Sequence, residues 1–168
     1  VRAVNGKSLS TYKATAGLLY LAQPTVKIAN ATKGIKVSWS KVNGATGYTV
    51  YRSQYSDGKW SGWKNMGTAK ADKTSWTDKN VTNGVQYKYT VRAVNDKVKS
   101  SYKATSGLVF VSAPTLKATN ASYSVKVSWS KVAGATQYKL YRSELKDGEW
   151  SSWSTLTTLE ADTTSFVD

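Results

Sequence analysis

Apolar and polar residues alternate along most of this chain, in short runs that are separated by turn residues. The run at 35–39 alternates strictly, and the longest run, 85–94, places two tyrosines, a valine and an alanine on one face. Because successive side chains of a strand point to opposite faces, each run predicts a half-buried β-strand. Asp-Gly and Asn-Gly pairs between the runs are typical of tight hairpin turns. Seven such strands between residues 24 and 111 predict an all-β fold, an antiparallel seven-stranded β-sandwich.

The same pattern returns at a fixed offset of 90 residues. Residues 1–78 align with 91–168 without a gap, and 43 of the 78 aligned positions are identical. A period of this length has the size of a small domain and exceeds that of solenoid repeats. We therefore expect residues 1–22 to be the last strands (the end of F, and G) of a preceding repeat. Residues 23–112 are expected to form a complete domain, and residues 113–168 strands A to E of a following repeat.

The two partial repeats raise the question of what completes them, because each would leave a sheet edge and an apolar face open. We expect adjacent copies of the same repeat to be partners. One hypothesis is that the C-terminal part of one chain is completed by the N-terminal part of another, head to tail. The alternative is a fragment of a longer array. At both predicted junctions a proline, Pro24 or Pro114, follows small residues, which predicts stiff connectors.

Three segments carry a resemblance to a known family. They are Ile35-x-Val37-x-Trp39, Gly47-Tyr48-x-Val50-Tyr51-Arg52 and Gly84-x-x-Tyr87-x-x-x-Val91-x-Ala93. They resemble strand B, strand C, and the E–F turn with strand F of bacterial fibronectin type III domains. The resemblance implies a tyrosine corner at Tyr87 and a bacterial protein that is secreted or displayed at the cell surface.

A buried core is predicted from the residues that share the inward face of these strands. Trp39 and its copy Trp129 would each bury roughly 200 Å². The predicted core residues are Trp39, Trp129, Tyr48, Val50, Tyr87, Tyr89, Val91 and Ala93.

The composition argues against an enzyme. The chain contains no Cys and no His, which removes thiolate metal sites, cysteine nucleophiles and the commonest general base. The first 143 residues contain no Glu, and no carboxylate pair suited to glycoside hydrolysis is apparent. No cofactor-binding motif is apparent either. We therefore expect no catalytic residue, no metal site and no cofactor.

The charge of the chain bears on its partners. The net charge is +14, and residues 1–90 hold 14 basic and 3 acidic residues. This excess predicts attraction to an anionic cell-wall polymer, a glycan or a host surface protein. The alternative is a solvated, lysine-rich β surface without a ligand. Lys outnumbers Arg 20 to 4 and no nucleic-acid-binding motif is present, which argues against nucleic acid. No apolar run is long enough to span a membrane.

Aromatic residues outside the predicted core form a candidate binding site. Trp60 and Trp63 lie three residues apart and return as Trp150 and Trp153. On a regular strand, residues three apart face opposite sides, so one of each pair is expected in the core and one on the surface. The alternative is that these rings only pack against their neighbours. The candidate ligand-binding residues are Trp60, Trp63, Tyr51, Tyr55, Arg52, Trp150 and Trp153.

These observations together predict a non-catalytic structural or adhesive repeat of a large extracellular protein, acting as a rigid spacer, stalk or filament element. One alternative is a module that binds a glycan or a host protein through exposed Trp and Tyr side chains. A further alternative is an accessory domain of a secreted polysaccharide-degrading enzyme.

Overall fold

The structure is a computed structural model that describes residues 1–12, 14, 17–96 and 98–168. The described residues form eighteen β-strands and no α-helix. Every strand pair is antiparallel. The predicted all-β, antiparallel fold class is therefore confirmed.

The strands fall into three consecutive groups. An N-terminal hairpin contains β1 (Val4–Asn5) and β2 (Ser8–Leu9). The central sandwich, residues 24–112, contains β3 (Val26–Ala31), β4 (Gly34–Trp39), β5 (Gly47–Ser56), β6 (Lys59–Trp60), β7 (Lys64–Lys70), β8 (Ser75–Asp78), β9 (Gln86–Asn95), β10 (Val98–Lys99) and β11 (Leu108–Val109). The C-terminal segment, residues 113–168, contains β12 (Leu116–Ala121), β13 (Ser124–Trp129), β14 (Gln137–Arg142), β15 (Leu145–Lys146), β16 (Glu149–Trp150), β17 (Ser154–Glu160) and β18 (Ser165–Val167).

The central sandwich has two sheets. One has the order β3-β4-β8. The other is built on the long pair β5 and β9, with β6 and β7 added to β5 and with β10 and β11 added to β9. Both sheets turn one apolar face inward, as their alternating sequences require.

The core lies between these two sheets. Seven of the eight predicted core residues belong to the central sandwich, and all seven are buried; the eighth, Trp129, is buried in the C-terminal segment. Ile35 and Val37 extend the same cluster on β4, and Leu21 and Phe110 join it from the segments that enter and leave the sandwich.

Two core tyrosines satisfy backbone groups with their hydroxyls. Tyr48 Oη accepts a hydrogen bond from the Val42 N–H at 2.8 Å. Tyr87 Oη accepts one from the Thr82 N–H at 3.1 Å, which is the predicted tyrosine corner. A buried N–H without a partner would be costly, so these tyrosines fix the adjoining turns as well as filling the core.

The C-terminal segment repeats the strand pairing of the central sandwich. Leu116 pairs with Trp129 as Val26 pairs with Trp39. The β14–β17 pair also contains the same register shift as the β5–β7 pair. However, no strand equivalent to β9 occurs among the described residues of this segment, and β12 is exposed along its whole length.

A similar contact occurs at both predicted junctions. A Cβ added at Gly44 would lie 3.6 Å from the Leu19 side chain. A Cβ added at Gly134 would lie 3.4 Å from the Val109 side chain and would overlap the Cα of Gly84. Gly44 and Gly134 are one period apart, and so are Leu19 and Val109. At both junctions the turn after the second strand therefore packs against the stretch of chain that precedes it, which is outside any strand at Leu19 and within β11 at Val109.

Hydrogen bonds hold the second connector against the E–F turn, the segment 79–85 that joins β8 to β9. Asn83 Oδ1 accepts from the Ser112 N–H at 2.7 Å, and Asn83 Nδ2 donates to Ser112 Oγ at 3.0 Å. The Gly84 N–H donates to the Phe110 carbonyl at 2.9 Å, and the Phe110 N–H donates to the Val85 carbonyl at 3.0 Å. The chain is thus fixed up to two residues before Pro114.

Candidate binding surface

The candidate surface lies on the outer face of the sheet that contains β5 and β9. Lys88, Thr90 and Arg92 occupy every second position of β9 and alternate with its core residues. The register pairs Lys88 with Ser53 and Thr90 with Tyr51 on β5, so these side chains share one face. Ser53 and Thr90 are nevertheless only 1% and 2% exposed. Another layer of side chains must therefore cover this face of the sheet.

The covering layer is a row of aromatic rings and cations, in which Lys88 lies between two pairs of rings. The rings of Tyr55 and Trp60 lie 5.2 Å apart, edge to face. Lys88 Nζ lies 4.4 Å from the centroid of the Trp60 ring and 5.5 Å from that of Trp63. The Trp63 ring meets that of Tyr102 at 6.1 Å. The contacts of the Lys88 ammonium group with the two indole faces are attractive, because a cation is drawn to the face of an aromatic ring.

Arg92 ends this row, with its guanidinium carbon 5.8 Å from the Tyr102 centroid. We call the whole set the aromatic–cation row; it consists of Tyr55, Trp60, Lys88, Trp63, Tyr102 and Arg92. The sequence pointed to three of these residues, Trp60, Trp63 and Tyr55. It missed Lys88, Tyr102 and Arg92, although the alternation along β9 already placed Lys88 and Arg92 on the outer face.

The expectation that Trp60 and Trp63 face opposite sides is wrong. Both rings contact the same ammonium group, that of Lys88. The reason is that β6 ends at Trp60, so residues 61–63 lie outside a regular strand and the two-residue alternation need not hold there. Ser61 is fixed to β5: its N–H donates to the Gln54 carbonyl, and its Oγ accepts from the Gln54 N–H.

A small open cavity adjoins this row. Its volume is about 180 Å³, and it is lined by Tyr51, Trp63, Thr90, Arg92 and Tyr102. Arg92 Nε donates to the Ser100 carbonyl at 2.8 Å, which fixes the guanidinium at the wall. Within the described ranges, neither Arg92 nor Lys88 forms an ion pair with a carboxylate. The cavity thus combines aromatic walls with a cation that is not neutralised.

Arg52 does not belong to this surface, although the sequence grouped it with the Trp pair. Its Nη1 lies 2.8 Å from Asp78 Oδ2 and 2.6 Å from the Asn80 carbonyl oxygen. Its guanidinium also lies over the ring of Tyr87, at 5.1 Å. Arg52 alternates with Tyr51 along β5 and faces the other sheet. It therefore acts as a structural residue, and its charge is already neutralised.

Asp78 is the buried centre of that structural network. Its side chain is fully buried and accepts hydrogen bonds from Arg52, from the Tyr89 hydroxyl at 2.9 Å and from the Asn80 N–H at 2.9 Å. Burial, followed by the negative charge of Asp78, raises the pKa of Tyr89 well above its ordinary value. Asp78 was not among the candidate residues that the sequence analysis selected. The available signal was the spacing from Arg52 to Asp78, which returns from Arg142 to Asp168.

In the C-terminal segment the corresponding aromatic residues are exposed. Trp150 is 70% exposed, Trp153 is 74% exposed and Tyr141 is 50% exposed. The segment has no strand equivalent to β9 among its described residues, so no lysine lies between the two indoles. Among the described residues, the structure thus brings together four of the seven candidates, Tyr51, Tyr55, Trp60 and Trp63, and all four lie in the central sandwich.

Nowhere in the described part of the chain do three acidic side chains come close enough to hold a metal ion. That part also contains no helix that could cross a membrane.

The strand order matches that of fibronectin type III sandwiches. The sheet β3-β4-β8 corresponds to strands A, B and E. In the facing sheet, β7, β5 and β9 correspond to strands C′, C and F, and the short strands β10 and β11 correspond to strand G. Together with the tyrosine corner, this order gives the chain a fibronectin type III-like fold, as its sequence predicted. Solved structures that resemble it include an Fn3-like protein from Clostridium thermocellum, at 25% identity and a TM-score of 0.43, covering 50% of this chain and 86% of that one. Another is a two-domain fibronectin type III segment of chicken tenascin, at 16% identity and a TM-score of 0.46, covering 86% of this chain and 81% of that one.

No family model matches the chain. Two curated proteins are similar in sequence over less than half of it. An amylopullulanase of Thermoanaerobacterium saccharolyticum is 36% identical over 74 residues, which is 44% of this chain and 6% of that protein. An amylopullulanase of Thermoanaerobacterium thermosulfurigenes is 31% identical over 75 residues, which is 45% of this chain and 4% of that protein.

Proposed function

We propose that the chain is a non-catalytic part of a secreted repeat protein, in which serially joined sandwiches act as a stiff spacer. The observation that carries this proposal is the repeated junction. Gly44 meets Leu19, and Gly134 meets Val109, one period later. A joint that recurs at equivalent positions would give successive sandwiches a similar angle, and an array of such joints would behave as a rod.

The geometry of the second joint supports stiffness. The closest approach is between two glycines, Gly84 and Gly134, and a side chain at Gly134 would overlap the Gly84 backbone. Asn83 binds both the backbone and the side chain of Ser112, so the connector has little freedom before Pro114. Proline then restricts the next backbone dihedral. Contacts of this kind limit domain motion, which a flexible linker would allow.

Distance measurements between spin labels test the proposal. The chain lacks cysteine, so the pair Lys59→Cys and Glu149→Cys can be labelled without background. These exposed positions are equivalent in the two repeats. We expect double electron–electron resonance to give one narrow distance distribution. A distribution as broad as that of a free linker would contradict the spacer function.

The variant Asn83→Ala sharpens this experiment. It removes both hydrogen bonds to Ser112, and we expect the distance distribution to broaden. The matched control is Asn80→Ala, because Asn80 is exposed in the same turn and its side chain makes no hydrogen bond within the described residues. Equal broadening in both variants would mean that the Asn83 contact does not stiffen the joint.

We propose as a second candidate that the parent protein is a secreted polysaccharide-degrading enzyme, with this chain as an accessory part. The supporting observation is the 36% identity to a segment of an amylopullulanase. In this case the chain itself should release no reducing sugar from pullulan or starch. Co-sedimentation with granular starch then separates the roles: binding supports an accessory binding domain, and absence of binding supports the spacer alone.

A further inference from the structure

We propose that the cavity beside Arg92 binds a carboxylate-bearing sugar unit of an acidic polysaccharide. In this proposal Arg92 holds the carboxylate, while the rings of Trp63 and Tyr102 contact the sugar ring. The inference goes beyond the spacer function and does not depend on it, because it concerns one face of a single sandwich.

The positive charge of this face is not balanced by carboxylates of the described residues. Lys88 and Arg92 are held on one face by their neighbours, and neither meets a carboxylate within the described ranges. The acidic side chain of Asp78, which could balance a cation of this sandwich, is already occupied by Arg52 on the opposite side of β5. Cations that are ordered but not neutralised favour an anion from outside. The planar guanidinium fork suits a carboxylate in particular.

The cavity has the size and shape to admit one sugar unit. Its volume of about 180 Å³ lies below the roughly 300–1,000 Å³ of pockets for drug-sized ligands, so it suits one small unit of a chain. Trp63 and Tyr102 form an aromatic corner, with ring planes inclined by 78°. An open cavity with such walls admits one ring of a polymer while the rest of the polymer stays in solvent.

The aromatic faces of the row favour an acidic sugar over a neutral one. A neutral sugar needs unoccupied aromatic faces for stacking. The Trp60 ring, however, already contacts the Lys88 ammonium group and packs edge to face with the ring of Tyr55. Lys88 also lies near the face of Trp63. The row therefore offers few unoccupied faces, and the charge of Arg92 must supply most of the recognition. This points to a uronate in preference to a neutral glucose unit.

The test is titration of the chain with trigalacturonate, followed by tryptophan fluorescence and by isothermal calorimetry. We expect saturable binding, with maltotriose not bound. We expect Arg92→Gln to weaken binding about tenfold or more, as for loss of a charge-assisted hydrogen bond. Tyr102→Leu, at an exposed ring of the same cavity, should weaken it as well and serves as a second variant should Arg92→Gln alter the fold.

The control is Lys36→Gln, which removes one positive charge from the exposed face of the other sheet. It should leave the affinity unchanged. The proposal is overturned if Lys36→Gln weakens binding as much as Arg92→Gln, because the attraction would then be non-specific. It is also overturned if trigalacturonate does not bind, if maltotriose binds equally well, or if polyphosphate or single-stranded DNA binds with the same affinity and the same dependence on Arg92.

Discussion

The central sandwich and the C-terminal segment carry the same aromatic residues in different surroundings. Trp60 and Trp63 are half-buried around Lys88, whereas Trp150 and Trp153 are mostly exposed. The local strand pairing is the same in both regions. The difference is β9, which supplies Lys88 and one wall of the row to the central sandwich alone. The environment of the Trp pair is therefore decided by a strand that lies far from it in sequence.

Equivalent ion pairs in the two regions also differ in their exposure to water. Arg52 and Asp78 lie 2.8 Å apart with side chains 13% and 1% exposed, and Arg142 and Asp168 lie 2.8 Å apart with side chains 43% and 24% exposed. The distance is equal, but the first pair is shielded from water and the second is not. Exposed ion pairs contribute little to stability, whereas a buried charge that loses its partner is strongly destabilising.

The largest expected effect on stability comes from removing the buried carboxylate of Asp78. Asp78→Ala leaves the Arg52 guanidinium and the Tyr89 hydroxyl without their buried acceptor, and we expect the free energy of unfolding to fall by about 3–5 kcal/mol. Asp168→Ala should lower it by less than about 1 kcal/mol. Urea denaturation followed by circular dichroism measures both. Similar losses in the two variants would show that burial does not separate the pairs.

A smaller effect is expected from the Trp pair. Trp63→Ala removes the contacts with Lys88 and Tyr102, and we expect the free energy of unfolding to fall by about 2 kcal/mol, roughly half the loss for a fully buried ring. Trp153→Ala removes an exposed ring and should change the free energy of unfolding by less than about 0.5 kcal/mol. The same denaturation experiment serves as the measurement. A larger loss from Trp153→Ala would contradict the role assigned to β9.

The smallest expected effect is a dependence of the free energy of unfolding on pH, which should come from Tyr89 of the central sandwich. The pKa of Tyr89 is raised in the folded state, so above about pH 10 the unfolded chain loses this proton first. The unfolded state then binds fewer protons than the native state, and stability falls as the pH rises, by at most about 1.4 kcal/mol per unit. Below about pH 10 this contribution is fully present.

Tyr89→Phe provides the control for that pH dependence. The variant has no titrating hydroxyl at this position, so the part of the slope above about pH 10 that comes from Tyr89 should disappear. Unfolding free energies measured between pH 8 and about pH 11 would check this. An identical slope in the variant would mean that other groups, such as lysines, cause the whole effect.

Much of the fold was accessible from the sequence because alternation is a local property. The inward set on β9, Tyr87, Tyr89, Val91 and Ala93, follows from a two-residue period that holds while the chain stays extended. The tyrosine corner at Tyr87 was predicted from a resemblance and is present. The same local rule failed for Trp60 and Trp63, because the strand ends between them and the rule no longer applies.

The sequence by itself determined the strands, their inward residues and the 90-residue period, because these depend on side-chain polarity at fixed local spacing. Only the tertiary structure decided that Lys88 lies between two indoles, that Arg92 borders a cavity and that Asp78 neutralises Arg52 in the interior. Each of these contacts joins residues from different strands. Strand register and sheet packing set their distances, and no local period encodes them.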